Sequence, residues 1–543
     1  ADAPGGATGY IDINAGSFTW AGTVNARTTG DLSIDSGAAQ SFASSVSLPA
    51  SGLVVSEVND VRIGNAGTSG SDQNSANVTV GPAISATGNV EVYAGALTTS
   101  ANITSTGQYG FLFLKATSWI SQAISTTFRT NSGEVVIWSD ADASNGGNVT
   151  LKGTICTAPT ATTCNTSATS GGAQVVIGGG AASQTDTTMP GGYASGYAST
   201  NIDTASGVLF GTTGSAGGAK IYSSGGNVKI AGQTYETSGS ISSFAIGVVF
   251  MAETEIHAGL GKINVEGNNA TASASSGNYR YPIEWNAWGA NRTSQFTSTS
   301  PAADSITFRA LESAASNGLH ANSAGAEFKN PNGGLLIQTN RFMDSLMGTV
   351  NVGGAFVFEP VDTSFAADYS FDSDITWGTN VPNSVRIGKS GNTAGITVSR
   401  TLNSSGNIQV LGGALSTTAA VSSTGGTITY TGASFSNSAV LSTDGRDISV
   451  NADQMTIGAS ITANKTSSGI VSLIPKSPAK NVDLGASDSG TILGLTDTEL
   501  DYAKAQVLRV GNASHANNIN VSANISSATA NAPNLAVRGA GNV

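Results

Sequence analysis

Acidic side chains are densest in the segment Leu495-Thr-Asp-Thr-Glu-Leu-Asp501. Paired carboxylates can serve as the acid and base of a glycosidase, and carboxylate oxygens are preferred ligands of Ca²⁺. The segment also contains Thr496-x-x-Glu499, which is the pattern of a capping box at the start of a helix. We therefore predict a short helix that begins here and runs through Lys504 and Gln506, with the acids acting as caps.

Other residues that could support catalysis or metal binding are isolated. Asp140-Ala-Asp-Ala-Ser-Asn-Gly146 resembles a calcium loop but lacks the closing Glu, so a solvated turn is expected. The histidines His257, His320 and His515 form no paired-His motif, and no nucleophile elbow accompanies them. We expect no metal site and no cofactor, and we predict that the chain is not an enzyme.

Two glycine-rich segments, 178–181 and 191–194, could suggest a phosphate-binding loop. Such a loop continues into Gly-Lys-Ser/Thr and lies between a strand and a helix. Neither segment has that continuation or that setting, so we predict that both are ordinary loops.

Charge and hydropathy argue against two kinds of partner. The chain has 23 Lys+Arg against 35 Asp+Glu, a formal net charge of −12, and no basic run. Proteins that bind nucleic acids need basic stripes to neutralise phosphates. The longest apolar run, Phe244–Ala252, is far shorter than the about 20 residues that span a bilayer, so no transmembrane segment is expected.

The two cysteines, Cys156 and Cys164, flank a Pro/Thr-rich stretch that is typical of a loop. A metal site would need further His or Cys ligands close by, and the sequence supplies none. We predict that a disulfide bond closes this loop, which favours an oxidising compartment outside the cytoplasm.

Aromatic residues make up only 6% of the chain but concentrate in the segment 279–292. This segment contains Tyr281, Trp285, Trp288 and Arg292. Binding energy usually concentrates in a few aromatic and Arg side chains, so we predict that these four recognise a ligand. The alternative is that the tryptophans pack an irregular insertion against the body of the protein.

The elements that carry these residues are short strands in a repeat. Four strand starts have their first apolar residues at Ile408, Ile428, Ile448 and Ile470, which are 20, 20 and 22 residues apart. A fixed period of this size indicates a solenoid. Each period contains three short apolar pieces with strand-like alternation, and Gly and Asn at the corners supply positive φ. We predict an all-β fold, a right-handed parallel β-helix with three short strands per coil of about 20 residues, interrupted by loop insertions.

A second, longer repeat is superimposed on this short period in the sequence. Three segments share one pattern: Val61-Arg-Ile-Gly-Asn65, Val385-Arg-Ile-Gly-Lys389 and Leu508-Arg-Val-Gly-Asn512. Gly88-Asn-Val recurs as Gly406-Asn-Ile, 318 residues later, and two further motifs recur at the same offset. We infer a module duplication with four parts: N-terminal coils at 1–50, a first module at 51–380, a second at 381–500 and the start of a third at 501–543.

The repeated segments resemble the secreted adhesins of the filamentous-haemagglutinin type. Two further sequence motifs resemble those of the same adhesins. One is Val136-Ile-Trp-Ser-Asp-Ala-Asp142 followed by Gly146-Gly-Asn-Val149, and the other is Leu495-Thr-Asp-Thr-Glu-Leu500 followed by Leu508-Arg-Val-Gly511. The general sequence pattern of these adhesins recurs along most of the chain, and the resemblance is strongest over 55–150, 381–475 and 490–525. It implies a β-helix exported to the Gram-negative cell surface, often through a partner outer-membrane transporter, with a role in adhesion.

The predicted function is that of an extracellular bacterial surface protein, either an adhesin or a structural fibre or stalk. Its expected partner is a glycan or protein of a host or bacterial surface, or other copies of itself. Two alternatives remain open: a self-assembling filament or sheath subunit, and a β-helix enzyme that degrades polysaccharide. An enzyme would need carboxylates or basic residues that converge on one strand face, and fold alone does not decide between these functions.

Overall fold

Strands make up almost every regular element of the protein, as a computed structural model shows. The structure describes residues 11–14, 24–26, 30–35, 42, 44–48, 53–65, 75–143, 146–159, 163–184, 188–196, 202–212, 218–234, 244–269, 279–286, 293–312, 318–322, 325–343, 348–372, 375–464, 468–515, 518–526 and 532–541. Within these ranges the helices are Ile202–Ala205 and Asp497–Asp501, each about one turn long. The protein is therefore all-β, as the short alternating apolar pieces predicted.

The chain folds into two structural units. The amino-terminal unit comprises residues 1–301, 305–330 and 346–348. The carboxy-terminal unit comprises residues 302–304, 331–345 and 349–543. Each unit is built from parallel sheets, and the sheets are made of short strands that recur in a fixed order along the chain.

Three parallel sheets form the amino-terminal unit, and the chain passes through them in turn. The first sheet contains Ile11–Asn14, Leu32–Asp35, Val61–Ile63, Val90–Ala94, Leu112–Ala116, Val135–Ser139, Val175–Ala182, Pro190–Gly192, Ala194–Ser195, Val228–Gln233, Ile263–Asn268 and Ile306–Leu311. The second contains Val46–Leu48, Val78–Val80, Leu97–Thr99, Ile120–Gln122, Val149–Leu151, Val208–Phe210, Phe244–Met251, Tyr279–Asn286 and Leu319–Asn322. The third contains Val24–Ala26, Leu53–Val58, Ile84–Ala86, Ile103–Gln108, Thr127–Asn131, Thr154–Cys156, Lys220–Tyr222, Glu255–Gly259, Ser294–Ser298 and Ala326–Asn330.

The carboxy-terminal unit repeats this plan. Its first sheet contains Leu335–Gln338, Ala355–Glu359, Ser384–Gly388, Ile408–Leu411, Ile428–Thr431, Ile448–Asn451, Ile470–Ile474, Val507–Gly511 and Asn534–Arg538. Its second contains Tyr369–Phe371, Ile396–Val398, Ala414–Thr417, Ser434–Asn437 and Gln454–Ile457, and its third Leu402–Ser404, Val421–Ser423, Leu441–Thr443, Ile461–Ala463 and Ala503–Ala505. A small fourth sheet contains Asn481–Leu484, Ile492–Leu495 and Ile519–Val521. The remaining strands are Phe342–Met343, Gly348–Val352 and Ile375–Trp377.

The regular coils between 396 and 463 show why such short apolar pieces become strands. Ile408 pairs in register with Ile428, and Ile428 pairs with Ile448. All three side chains are fully buried, and together they form one apolar column inside the coils. Burial of one such side chain contributes about 1.5–3 kcal/mol. Because inner strands are paired on both sides, sheet edges are left only where a stack stops.

The next coil departs from the predicted register. Ile448 pairs with Val471, and Val471 is the buried side chain. Ile470, which the period placed in the core, lies one position earlier and is partly exposed. The strand Ile470-Val-Ser-Leu-Ile474 has apolar residues on both faces, so its alternation alone does not determine which face points inwards.

Side chains at one corner join successive coils. In several coils of both units the residue directly before the first-sheet strand is Asp or Asn, and its side-chain oxygen accepts a hydrogen bond from the backbone N–H at the equivalent position of the next coil. The donor-to-acceptor distances are 2.6 Å from Asn89 to Asp60 and 2.9 Å from Thr427 to Asn407. We call this arrangement the corner ladder; its other members are Asp31, Asn89, Asn227 and Asp447.

A second corner contact repeats at the offset seen in the sequence. The hydroxyl of Ser105 donates to the carbonyl oxygen of Gly88 at 2.6 Å, and the hydroxyl of Ser423 donates to that of Gly406 at 2.6 Å. Both residues of the second pair follow those of the first by 318 positions. The same local packing is therefore built by the same residue types in the two units.

The capping box is present at the predicted place. The Thr496 side chain accepts a hydrogen bond from the Glu499 N–H, and the Glu499 carboxylate accepts one from the Thr496 N–H at 2.9 Å. The helix nevertheless stops at Asp501 and does not extend to Gln506 as predicted. The next residues, Ala503–Ala505, form a strand instead, because pairing with the third sheet completes a coil.

Two carboxylates cover an edge of the second sheet in the carboxy-terminal unit. The last described strand of that sheet is Gln454–Ile457. Asp488 accepts a hydrogen bond from the Met455 N–H at 2.8 Å, and Glu499 accepts one from the Ile457 N–H at 3.2 Å. Acidic side chains thus accept hydrogen bonds from backbone N–H groups that could otherwise pair with another strand.

Candidate ligand-binding groove

A hairpin interrupts the first sheet of the amino-terminal unit. The strand Val175–Ala182 starts as a member of the parallel sheet and then continues as one arm of the hairpin, antiparallel to Pro190–Gly192. A Cβ atom at Gly179 would lie 2.6 Å from the carbonyl oxygen of Tyr193, so only glycine permits this approach. The prediction that both glycine-rich segments are loops is therefore wrong.

On one side of the hairpin lies a depression that we call the aromatic groove. It has a volume of about 310 Å³, and its lining includes Tyr93, Phe113, Trp138 and Met189. The rings of Tyr93 and Phe113 are 5.8 Å apart, and those of Phe113 and Trp138 are 6.2 Å apart in an edge-to-face arrangement. Three successive strands of the sheet contribute one aromatic residue each.

Contacts from the hairpin hold the end of this groove in place. The Trp138 indole N–H donates to the Gly180 carbonyl oxygen at 2.7 Å, and Met189 packs against the same cluster. The Lys115 Nζ lies 4.0 Å from the centre of the Trp138 ring, in cation–π contact. Trp138 is 1% exposed and therefore supports the floor, whereas Tyr93 and Phe113 keep part of their rings accessible.

The polar groups of the aromatic groove are few and fixed. The Tyr93 hydroxyl donates to Glu91 at 3.0 Å, and the Gln174 side chain donates to Glu134 at 2.9 Å. Burial lowers the pKa of Lys115, and burial together with Glu91 raises the pKa of the Tyr93 hydroxyl. Aromatic faces with a few placed polar groups are what a ring-shaped polar ligand needs for stacking and hydrogen bonding.

The residues predicted to bind a ligand lie partly in the interior. Tyr281 is 4% exposed and stacks on His320 at 4.0 Å, and Trp285 is 1% exposed. The Trp285 ring packs against other buried aromatic rings, those of Phe308 and Phe328. Trp285 therefore offers no open ring face to a ligand, and it lies on a regular strand of the second sheet instead of in an irregular insertion. Trp288 and Arg292 lie outside the described residues.

The two cysteines are joined. Cys156 and Cys164 form a disulfide with their Cα atoms 5.8 Å apart, and the loop that it closes packs on Tyr222. Tyr222 in turn stacks on His257 with ring centres 5.4 Å apart. The disulfide loop therefore lies beside a cluster of titratable side chains on the third sheet.

Two histidines lie next to acids, His257 beside Glu255 on the same strand and His320 beside Glu284 on the paired strand. His257 Nε2 lies 3.6 Å from a Glu255 oxygen, and His320 Nδ1 lies 3.3 Å from Glu284 Oε1. Acid–imidazole pairs can act in proton transfer. Glu284 and His320, however, are 2% and 9% exposed, which separates this pair from solvent. Burial lowers the pKa of His257, and hydrogen bonds from Lys220 and Tyr222 outweigh burial in lowering the pKa of Glu255.

The candidate site residues escaped sequence reasoning because they are far apart in the chain. Tyr93, Phe113 and Trp138 are separated by 20 and 25 residues, and Met189 reaches them only through the hairpin. One signal was available: Tyr93, Phe113 and Trp138 occupy outward positions on successive first-sheet strands, whereas the outward positions of the regular coils are mostly Ser, Thr and Asn. An alignment of successive coils, position by position, would have shown these three aromatic residues on neighbouring strands.

Among the described residues, no three metal-binding side chains cluster, and no helix is long and apolar enough to cross a bilayer. No known protein family, curated protein or solved structure matches this chain. The groove and the stacked strands that support it are therefore the features that indicate a function.

Proposed function

We propose that this protein is an extracellular bacterial surface adhesin, in which stacked β-helical coils display the aromatic groove as the recognition element. The observation that carries the proposal is the groove itself, because its partly exposed rings stand on a sheet whose strands are paired on both sides. Binding sites on rigid elements are more precise than sites on free loops. The resemblance to secreted adhesins of the filamentous-haemagglutinin type supports the same assignment and favours a location on the cell surface.

The scaffold that we propose is a right-handed parallel β-helix with three strands per coil. Support comes from the passage of the chain through three parallel sheets in turn, and from the strong preference of parallel crossover connections for the right-handed sense. A scaffold of this kind suits exposure to an external medium, since its outward positions in the regular coils are mostly Ser, Thr and Asn, and a disulfide closes one loop.

The partner that we propose is a surface glycan. Tyr93 and Phe113 can stack on the apolar face of a sugar ring, while Glu91, Glu134 and Lys115 can bind its hydroxyl groups. Proteins use the same groups for other polar ring ligands, but a groove of about 310 Å³ that is open along a sheet suits part of a longer chain.

The test is adhesion to glycans and to intact cells by the wild-type protein and the Phe113→Ala variant. Truncating an aromatic residue at the centre of a binding site costs about 2 kcal/mol or more, so we expect at least about a tenfold loss of affinity. Thr429→Ala is the matched control, because Thr429 also lies on an outward position of a first-sheet strand, in the regular coils.

Several outcomes would overturn this proposal. Wild-type protein that binds no glycan or cell, or a Phe113→Ala variant that binds as well as Thr429→Ala, removes the groove from recognition. Shortening of the glycan during incubation would favour a polysaccharide-degrading enzyme instead. Regular polymers of purified protein in electron micrographs, without glycan binding, would favour a filament or sheath subunit.

A further inference from the structure

A second depression lies on the other side of the hairpin, and we call it the polar groove. Its volume is about 320 Å³, and the residues Gly191, Gly192 and Tyr193 of the hairpin segment form one of its sides. Its floor consists of outward positions on the strands Val228–Gln233, Ile263–Asn268 and Ile306–Leu311. No aromatic residue is among the floor side chains described for this groove.

The floor carries two columns of polar side chains. Strand register places Lys229 beside Asn264 and Asn264 beside Thr307 in one column. The neighbouring column places Glu266 beside Arg309. One column therefore presents an ammonium, an amide and a hydroxyl group in a row, and all three can donate hydrogen bonds.

The charges of the second column compensate each other. Arg309 Nη1 lies 3.2 Å from Glu266 Oε2, and the Tyr193 hydroxyl donates to the other oxygen of the same carboxylate. Burial and Glu266 raise the pKa of Tyr193, which keeps this hydroxyl a donor. Lys229 is exposed, and no carboxylate of the described residues lies within ion-pair distance of it. Among the described residues that line the polar groove, one positive charge is therefore uncompensated.

This charge is unusual for its surroundings. The chain as a whole carries a formal net charge of −12. Another depression on the same sheet, near Asp12, Asp35, Asp60 and Glu91, has Arg62 as its basic lining residue and is strongly acidic. An anionic ligand would be repelled by most of the surface, so a locally positive groove selects where it binds.

We propose that the polar groove binds an acidic sugar residue, one that carries a carboxylate or a sulfate group. Lys229 pairs with the acid group, and Asn264 and Thr307 bind ring hydroxyls along the same column. Arg309 remains oriented by Glu266 at the far end of the floor, while Tyr193 forms the wall. This site is distinct from the aromatic groove, and it does not depend on the adhesive role proposed for that groove.

The experiment measures binding of three polysaccharides to the full chain. Polygalacturonate supplies carboxylates, its fully methyl-esterified form supplies the same sugar without charge, and dextran sulfate supplies sulfates. We expect polygalacturonate or dextran sulfate to bind, with affinity that falls as salt rises, and the methyl ester to bind about tenfold more weakly or not at all. The two anionic arms identify which acid group is preferred.

Variants test the assigned residue. Lys229→Gln should weaken binding of the preferred anionic polysaccharide about tenfold, whereas Arg386→Gln should leave it unchanged. Arg386 is the matched control, because it is a basic residue on the first sheet of the carboxy-terminal unit whose charge is already paired with Glu359, at 2.8 Å. Phe113→Ala should also leave binding of the anionic polysaccharide unchanged. The variants therefore distinguish failure of the polar-groove proposal from failure of the aromatic-groove proposal.

Binding of the methyl ester as strong as that of the preferred anionic polysaccharide overturns the proposal. So does absence of binding to both anionic polysaccharides, or equal binding by wild type and Lys229→Gln. Circular dichroism of each variant verifies the β-sheet content, so that a loss of binding reports on the groove.

Discussion

Coils of the same design behave differently in two regions of the molecule. Between 396 and 463 in the carboxy-terminal unit, successive first-sheet strands start 20 residues apart and their outward positions are mostly Ser, Thr and Asn. Between 90 and 311 in the amino-terminal unit, the spacing is wider, a hairpin leaves the sheet and two grooves flank it. The inward positions are aliphatic or aromatic in both regions. The comparison indicates that the interior determines the stack, whereas extra residues between strands create sites.

The largest expected effect tests whether the interior is equivalent in the two regions. Ile428 in the regular coils and Ile137 beside the hairpin are both fully buried and paired on both sides. Replacing either with Ala should reduce the free energy of unfolding by about 2–5 kcal/mol, as measured by chemical denaturation. Costs that differ between the two positions by more than about 2 kcal/mol would contradict the equivalence.

A smaller effect is expected for the corner ladder. Asn407→Ala removes the acceptor for the Thr427 N–H, and Asn89→Ala removes the acceptor for the Phe111 N–H. Each change should reduce the free energy of unfolding by about 1 kcal/mol. Thr429→Ala, which removes no hydrogen bond of the ladder, should stay within about 0.5 kcal/mol of wild type. A ladder variant as stable as that control would show that water replaces the lost bond.

The smallest expected effect is local and depends on pH. The folded state holds the pKa of His257 below its ordinary value of 6.5 through burial, so the unfolded state binds the proton more readily. The contribution of neutral His257 to the local stability of this strand is therefore fully present above pH 6.5, and it is lost as pH falls below that value. We expect hydrogen-exchange protection of Glu255–Gly259 to decline as pH falls from about 7 to about 5, with no decline at Ile448–Asn451 in the regular coils.

His257→Gln is the control for that pH dependence. The variant removes the titrating imidazole, so protection of the strand Glu255–Gly259 should then be constant over the same range. Glu255 does not confuse the result, because its pKa lies below its ordinary value of 4.5. A decline that persists in His257→Gln would assign the pH dependence to another group.

Sequence reasoning was most accurate where the interior alone decides the structure. The period placed Ile408, Ile428 and Ile448 in one column, and the strands confirm it. It misplaced Ile470 by one position because that strand is apolar on both faces. The helix at 497–501 was anticipated from its capping box, but its length was overestimated, since a capping box indicates where a helix starts and not where strand pairing resumes.

The sites were harder to predict because they depend on contacts between distant residues. The run Gly178–Gly180 contains no side chain whose pattern could indicate a strand, and its pairing partner is fixed only by the return of the hairpin. Tyr281 and Trp285 carried the strongest compositional signal, yet both side chains are buried. A cluster of aromatic residues indicates a large contact area, but it does not indicate whether the contacting surface belongs to a ligand or to the protein itself.

The corner ladder has a consequence for the order in which the molecule is assembled. In each rung the earlier coil supplies the acceptor side chain and the later coil supplies the backbone N–H. A chain that emerges with its amino end first, as at the ribosome, therefore meets a template whose acceptors are already in place. Where the later coil again has Asp or Asn at this position, as at Asp60 and Asn89, it supplies the acceptor for its own successor, so this run of rungs can form only in the amino-to-carboxy direction.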